Sequence, residues 1–365
     1  MDNFRKEFAQ KLSETVITST TPNEEVNRQV KELVNLITEN LPQHIFRYRA
    51  CSIRNIEALA KNMTYGAPMS FMNDPMDGLV YVDKGVLLKQ FKFGLSREFY
   101  NLIKSTKRLP DSTELYLDKD TSDFILHHIL NLSQGEVENI VAQNQQTKSE
   151  IIAKLDQIID DKIKDLQESS LVVSFAETQY DNSMWAYYAK DHTGFVIEYE
   201  PQGMRFDYCS RCVKQNSPDC QDKQVQAILY PMIYQKERID ATAWLDSYIG
   251  LHIYQSIIGP QVKGYNPDEL FSHRICLVKD EQWAHEREWR AVCKTKVPCE
   301  KGKFKPLQTP IPSAIYYGAH IAPESISMLR GVIRALSIEN NREIREYQMK
   351  IDQASKEFKL TAVPL

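Results

Sequence analysis

The chain has 365 residues, enough to bury a sizeable core as one large domain or two smaller ones. Hydrophobic residues make up 42%, charged residues 26% and the formal net charge is -4, which excludes a chain drawn as a whole to nucleic acid or to an anionic membrane. The polar, amphipathic opening MDNFRKEFAQKLSETV and the lack of any span-length apolar run give the expectation of a cytoplasmic protein with no membrane partner.

Residues 1–40 carry apolar positions at helical spacing: Phe4, Phe8 and Leu12, then Val30, Leu33, Val34 and Ile37. TSTTPNEE breaks this run, so a second helix is expected from about Asn23 to Asn40. HIFRYRA alternates around aromatic and β-branched residues and predicts a short strand. NIEALAKNM follows as a short helix capped by Ser52 or Asn55. TYGAPMSFMNDPMDG predicts an extended segment closing in turns. From about Lys84 to Ser170 helical spacing dominates, and Ile151, Ile152, Leu155, Ile158, Ile159, Ile163 and Leu166 form one apolar stripe. LVVSFAE predicts a strand, SMWAYYAKDHTG a helix stopped by Gly194, and FVIEYE a strand. SAIYYGAHI, the helix PESISMLRGVIRALS, and the strands EYQMKID and FKLTAVPL complete the pattern. The fold class expected is α+β, with an N-terminal helical extension (1–44), a core formed by 45–83 and 170–365, and a helical insertion (84–169) able to hold a regulatory partner.

The densest chemistry is Lys279, Trp283, Glu286, Glu288 and Arg290. On one strand, Glu286, Glu288 and Arg290 would share a face opposite Trp289, Ala291 and Cys293. Paired carboxylates repel, which raises the proton affinity of one and suits acid/base or cation-stabilising work; a solvated edge strand laced with salt bridges has the same pattern. On the FRYR strand, Arg47 and Arg49 share a face and could together meet a phosphate or carboxylate, or pair with structural acids. SFMNDPMD joins Phe71 to Asn73, Asp74 and Asp77, acceptors for a ligand or for their own turn. Trp185, Tyr188 and His192 follow within two helical turns, with His192 either catalytic or a helix C-terminal charge.

Seven scattered cysteines fit reduced thiols better than a disulfide framework. Cys209, Cys212 and Cys220 resemble a zinc-knuckle opening without an evident fourth ligand. The stretches Lys89–Lys107 and Lys294–Lys305 are locally basic. Gly-rich phosphate loops, a Ser nucleophile elbow, the His-Glu-x-x-His helix and the kinase signature are all missing from the sequence.

In this order, FRYR, NIEALAKN, SFMNDPMD, SMWAYYAKDHTGFVIEY, EREWR and IYYGAHI resemble a bacterial domain-of-unknown-function family over roughly residues 45–83 and 170–345. More distantly, the chain looks like the ADP-ribosyltransferase fold, with a mixed or antiparallel β core. That resemblance implies NAD held by Arg47 or Arg49, with Tyr65 or Phe71 stacking on nicotinamide and Ser70 supporting the pocket. Glu288 would be the catalytic acid residue at the ribose, and Glu286 would orient or deprotonate the acceptor. The Asn73-Asp74-Pro75-x-Asp77 turn and the Trp185 helix belong to the domain-of-unknown-function family and have no counterpart in the transferase scheme; Asn73, Asp74, Asp77, Trp185, Tyr188, His192 and Arg290 are expected to contact the acceptor substrate. The implied activity is metal-independent mono-ADP-ribosylation of nucleic acid or protein, in a toxin or phage-defence setting. The rival readings are a nuclease or phosphoesterase holding divalent metal on Asp74, Asp77, Glu286 and Glu288, and a binding module without catalysis.

Overall fold

The computed structural model describes residues 3–18, 20–211, 221–296 and 305–365. It begins with α1 (Asn3–Glu14) and α2 (Asn23–Glu39), followed by β1 (Ile45–Arg49), α3 (Ile53–Ala60) and β2 (Met63–Pro68). After β3 (Val80–Tyr81) come the helices α4 (Lys84–Gly94), α5 (Arg97–Thr106), α6 (Lys119–Asn131) and α7 (Gln134–Glu168). β4 (Ser170–Phe175), α8 (Asn182–Tyr188), β5 (Phe195–Tyr199) and β6 (Phe206–Cys209) precede the short strands β7 (Lys223–Gln226), β8 (Leu229–Pro231), β9 (Ile233–Gln235) and β10 (Ile239–Asp240). The remainder is α9 (Thr242–Ile258), α10 (Phe271–Leu277), β11 (Val278–Asp280), β12 (Trp289–Lys294), β13 (Lys305–Gln308), β14 (Ala314–Tyr317), α11 (Pro323–Asn340), β15 (Arg345–Ile351) and β16 (Leu360–Pro364).

Two larger sheets of an α+β fold carry twelve of these strands, and the parallel pairs β3–β10 and β9–β11 carry the other four. One has the order β1-β5-β14-β15-β16, antiparallel except for the parallel β14–β15 pair. The other has the order β7-β6-β13-β2-β4-β12-β8 and is antiparallel throughout. The sheets join where the chain just past β4 meets β1. There Phe46 N–H donates to Ala176 O at 2.9 Å and Ala176 N–H donates to Phe46 O at 2.8 Å. Alternation then decides what each face does. Phe46 and Tyr48 of β1 enter one apolar cluster with Trp185, while Ile45 belongs to the larger core on the opposite side, the side on which Arg47 and Arg49 also lie.

Local chemistry accounts for the element ends. The Ser52 hydroxyl accepts from Asn55 N–H at 3.3 Å and starts α3, which settles the choice between the two cap candidates. α7 runs for 35 residues from a capping box formed by Ser133 and Glu136. Its stripe packs inward through Leu155, Ile159 and Leu166. α8 ends at Tyr188, before a turn in which Lys190, Asp191 and His192 are all left-handed, with φ of 48°, 54° and 63°. Gly194 follows because a Cβ there would lie 2.1 Å from the Arg49 carbonyl oxygen. α9 escapes periodicity analysis because its apolar residues run round the whole helix, as in a buried element.

The expected single strand over EREWRA is corrected. Glu281–Glu286 is a 3₁₀ turn, Arg287 is left-handed with φ 45°, and the strand begins only at Trp289. Glu286 therefore does not share a strand face with Glu288. Nor do the N-terminal helices stand apart, since Phe8 and Leu12 of α1 and Leu33 and Ile37 of α2 are buried in the same core as β4 and β12.

Candidate functional site

A cavity of about 430 Å³ lies at the junction of the two sheets. β1 contributes Arg47 and Arg49, β2 Thr64 and Tyr65, β4 Ser174, and β5 Ile197 and Tyr199. Arg54 of α3, Tyr188 of α8, Lys279 of β11 and the two carboxylates Glu286 and Glu288 also line it, together with Ser52, Asn55 and Asn73.

Three guanidiniums, from Arg47, Arg49 and Arg54, line this cavity. Arg47 is 6% exposed, and only its Nη2 finds a partner, donating to Tyr65 O at 3.3 Å. Its Nε and Nη1 are buried without one. Arg47 Cζ lies 5.5 Å from the Phe175 ring centroid, and Arg54 Cζ lies 4.4 Å from that of Tyr65. Arg49 donates to the Tyr48 carbonyl at 3.1 Å, and burial, with the Arg54 charge adding to it, lowers its pKa to about 10. A buried guanidinium left partly unsatisfied is costly, and an anion entering the cavity would relieve that cost.

The two carboxylates are organised around Lys279. Its Nζ lies 2.6 Å from Glu286 Oε2 and 3.4 Å from Glu288 Oε2, and 4.6 Å from the Trp283 ring centroid. Tyr188 OH donates to Glu286 Oε1 at 2.7 Å and accepts from Asn73 Nδ2 at 3.0 Å. Arg290 Nε donates to Glu288 Oε1 at 2.7 Å, and Ser174 hydrogen-bonds the same carboxylate. The other edge of Arg290 grips both oxygens of Asp77 and donates to Cys276 O at 2.7 Å.

Position separates the two carboxylates chemically. Burial and the neighbouring Glu288 charge raise the proton affinity of Glu286 against the pull of Lys279 and Tyr188. Burial also pushes Glu288 upward, but the Arg290 and Lys279 charges and the bonds from Arg290 and Ser174 outweigh it and hold the group at about 2. Lys279 is held firmly protonated, because the two carboxylates outweigh its own burial. The two carboxylates are thus shifted apart, Glu288 toward its ionised form and Glu286 toward its protonated form.

Of the residues singled out in the sequence, the structure brings Arg47, Arg49, Tyr65, Phe71, Asn73, Tyr188, Glu286 and Glu288 to this cavity. Ser70 does not reach it. It is exposed on the 3₁₀ turn Met69–Phe71, whereas Ser174 lines the cavity. Asp77 and Arg290 lie behind the cavity as a fully buried ion pair that anchors Glu288. Asp74 accepts from Met76 N–H at 2.9 Å and shapes its own turn. Trp185 is core, donating to Gln179 O at 2.7 Å, and His192 stacks on it 5.8 Å away, outside the cavity. Cys209 is buried, whereas Cys212 and Cys220 lie outside the described residues. Among the described residues no group of three or more His, Cys, Asp or Glu could hold a metal ion, and no helix is long and apolar enough to cross a membrane.

Sequence reasoning missed Ser174 and Arg54. Ser174 was legible as the polar break in the run LVVSFA, which an all-core strand would not need. Arg54 carried no such mark.

A family model described as "Protein of unknown function (DUF2971)" matches residues 184–291. The matched segment holds Tyr188, Lys279, Glu286, Glu288 and Arg290, and supports a domain-of-unknown-function family for this part of the chain. No curated protein and no solved structure matches the chain.

Proposed function

We propose that this protein is an NAD-dependent mono-ADP-ribosyltransferase acting on a macromolecular acceptor. The observation that carries the reading is Arg47, whose buried and partly unsatisfied guanidinium lines the same cavity as two carboxylates. The cavity volume of about 430 Å³ falls in the range of small-molecule sites. An anionic dinucleotide suits its chemistry: a phosphate oxygen would satisfy the Arg47 donors, with Arg49 and Arg54 adding charge. Tyr65 and Phe71 supply aromatic surface for a planar ring.

NAD would supply an activated ribosyl group, whose bond to nicotinamide breaks with positive charge developing on the sugar. Glu288, locked in its ionised form, provides a fixed negative charge against that development. Glu286, with its raised proton affinity, is suited to take the proton from the incoming nucleophile. Lys279 and Arg290 keep the two carboxylates close without letting them repel each other apart.

Nicotinamide release from NAD by the purified protein, with and without cell lysate and in the presence of a chelator, tests the reading. Release is expected to survive chelation and to fall roughly 10²–10³-fold in Glu288→Gln, the scale set by removing one preorganised electrostatic stabiliser. Absence of both NAD binding and nicotinamide release would sink the proposal, as would full activity in the Glu288 variant.

A further inference from the structure

Glu288 of the cavity lining is held from behind by a residue 283 positions away in the sequence. Arg5 of α1 is 3% exposed. Its Nη1 donates to Glu288 O at 3.1 Å and to Met232 O at 2.8 Å, and its Nη2 donates to Glu177 Oε1 at 2.8 Å. The Glu288 carbonyl also accepts from Met232 N–H at 2.9 Å, and Glu288 N–H donates to Tyr234 OH at 2.7 Å. Both backbone polar groups of Glu288 are thereby fixed by other elements.

Glu177 extends the same hold to the corner between the carboxylates. Its Oε1 accepts from Trp289 Nε1 at 2.8 Å, and its Oε2 pairs with Arg287 Nε at 2.6 Å. Arg287 is the left-handed residue that separates Glu286 from Glu288. A non-Gly residue in that conformation is disfavoured and persists where its surroundings hold it. Phe4 stacks on Trp289 with ring centroids 5.9 Å apart, so α1 braces this corner by packing as well as by charge.

We infer that Arg5 is a positioning residue for the Glu286–Glu288 pair, and that α1 is a working part of the site; as a statement about catalysis, this rests on the reading proposed above. Arg5 lies outside the cavity lining, and its hydrogen bonds go to Met232, Glu288 and Glu177 rather than to Arg47 or its partner Tyr65. Its loss should therefore act on turnover and spare the affinity for the anionic end of the ligand.

The test compares wild type, Arg5→Met and Arg5→Lys, all in the full chain. Arg5→Met keeps much of the volume beside Tyr234 and Trp289, whereas Arg5→Lys keeps the charge but cannot span all three acceptors. For nicotinamide release, kcat should drop roughly 10–100-fold in Arg5→Met with KM for NAD little changed, and Arg5→Lys should recover part of the loss. Amide hydrogen exchange gives a readout independent of activity. Exchange at Met232 and Glu288 should quicken in Arg5→Lys, while amides of β1 and β5 keep the wild-type rate. Unchanged kcat in a folded variant, or acceleration spread evenly over the whole chain, overturns the inference. If Arg5→Met does not fold, Arg5→Lys decides by the same two readouts. If the wild type itself releases no nicotinamide, the transferase reading fails alone, and the exchange pattern still decides whether Arg5 holds this corner.

Discussion

Glu286 and Glu288 are two residues apart, share Lys279, and have their proton affinities moved in opposite directions. The pH dependences of their contributions to stability therefore have opposite signs. For Glu288, held at about 2 against an ordinary value of 4.5, the stabilisation is present above pH 4.5 and is lost as pH falls toward 2. For Glu286, whose value is raised, stabilisation is present below pH 4.5 and is lost as pH rises through its folded-state value. Urea unfolding followed between pH 4.5 and 2 should show a smaller acid loss in Glu288→Gln than in wild type; equal slopes would mean that the ion pair does not form. Activity should carry an acid limb set by Glu286, rising as the group deprotonates above the usual carboxylate range, and Glu286→Gln should remove that limb from the pH–rate profile. Arg290 permits the sharpest stability test, because its guanidinium serves Asp77 and Glu288 in full burial. Arg290→Met strands two carboxylates and should cost about 3–5 kcal/mol, measured by chemical denaturation. The pairing of acids and bases in EREWR was legible, but the partner of each was not, because Lys279 and Asp77 come from other segments.

The elements themselves split along a physical line. β1, α3, β5 and α11 follow from period and caps, since a half-buried strand or an amphipathic helix writes its exposed face into the sequence. The EREWR segment defeated that reasoning because alternation of charge and apolar residues also fits a 3₁₀ turn, a left-handed residue and a strand in succession. Gly194 shows the same limit in reverse. It looks like a helix stop, yet its necessity comes from the approach of the Arg49 carbonyl across the β1–β5 junction. Gly194→Ala should accordingly cost at least about 1–3 kcal/mol and disturb Arg49 at the cavity, seen as a lowered thermal midpoint together with weaker NAD binding. A wild-type midpoint would mean that the strands separate there without cost.

At the scale of the molecule, the helical segment 84–169 is built into the core rather than hung from it. α4 packs on α9, and Leu87, Phe91, Tyr100, Ile103 and Ile125 share one buried cluster with Leu171 and Trp289. Gln167 Nε2 donates to Gly78 O at 3.1 Å, which ties α7 to the turn carrying Asp77. Replacing 84–169 by a short linker should therefore remove cooperative unfolding along with any nicotinamide release, as judged by calorimetry and assay on the same sample; a stable, active remainder would show the segment to be separable. The sequence by itself determined the α+β class, the strands β1, β4, β5, β14, β15 and β16, the helices α1–α3, α8 and α11, the facing of Arg47 and Arg49, and the acid-rich character of 286–290, because period, caps and turn residues act over a few positions. Only the tertiary structure decided that Ser174 lines the cavity while Ser70 does not, that Asp77 and Arg290 stand behind the cavity, and that Arg5 reaches Glu288. Those outcomes depend on which distant segments meet, and the pairing of buried charges is settled by packing that no local spacing encodes.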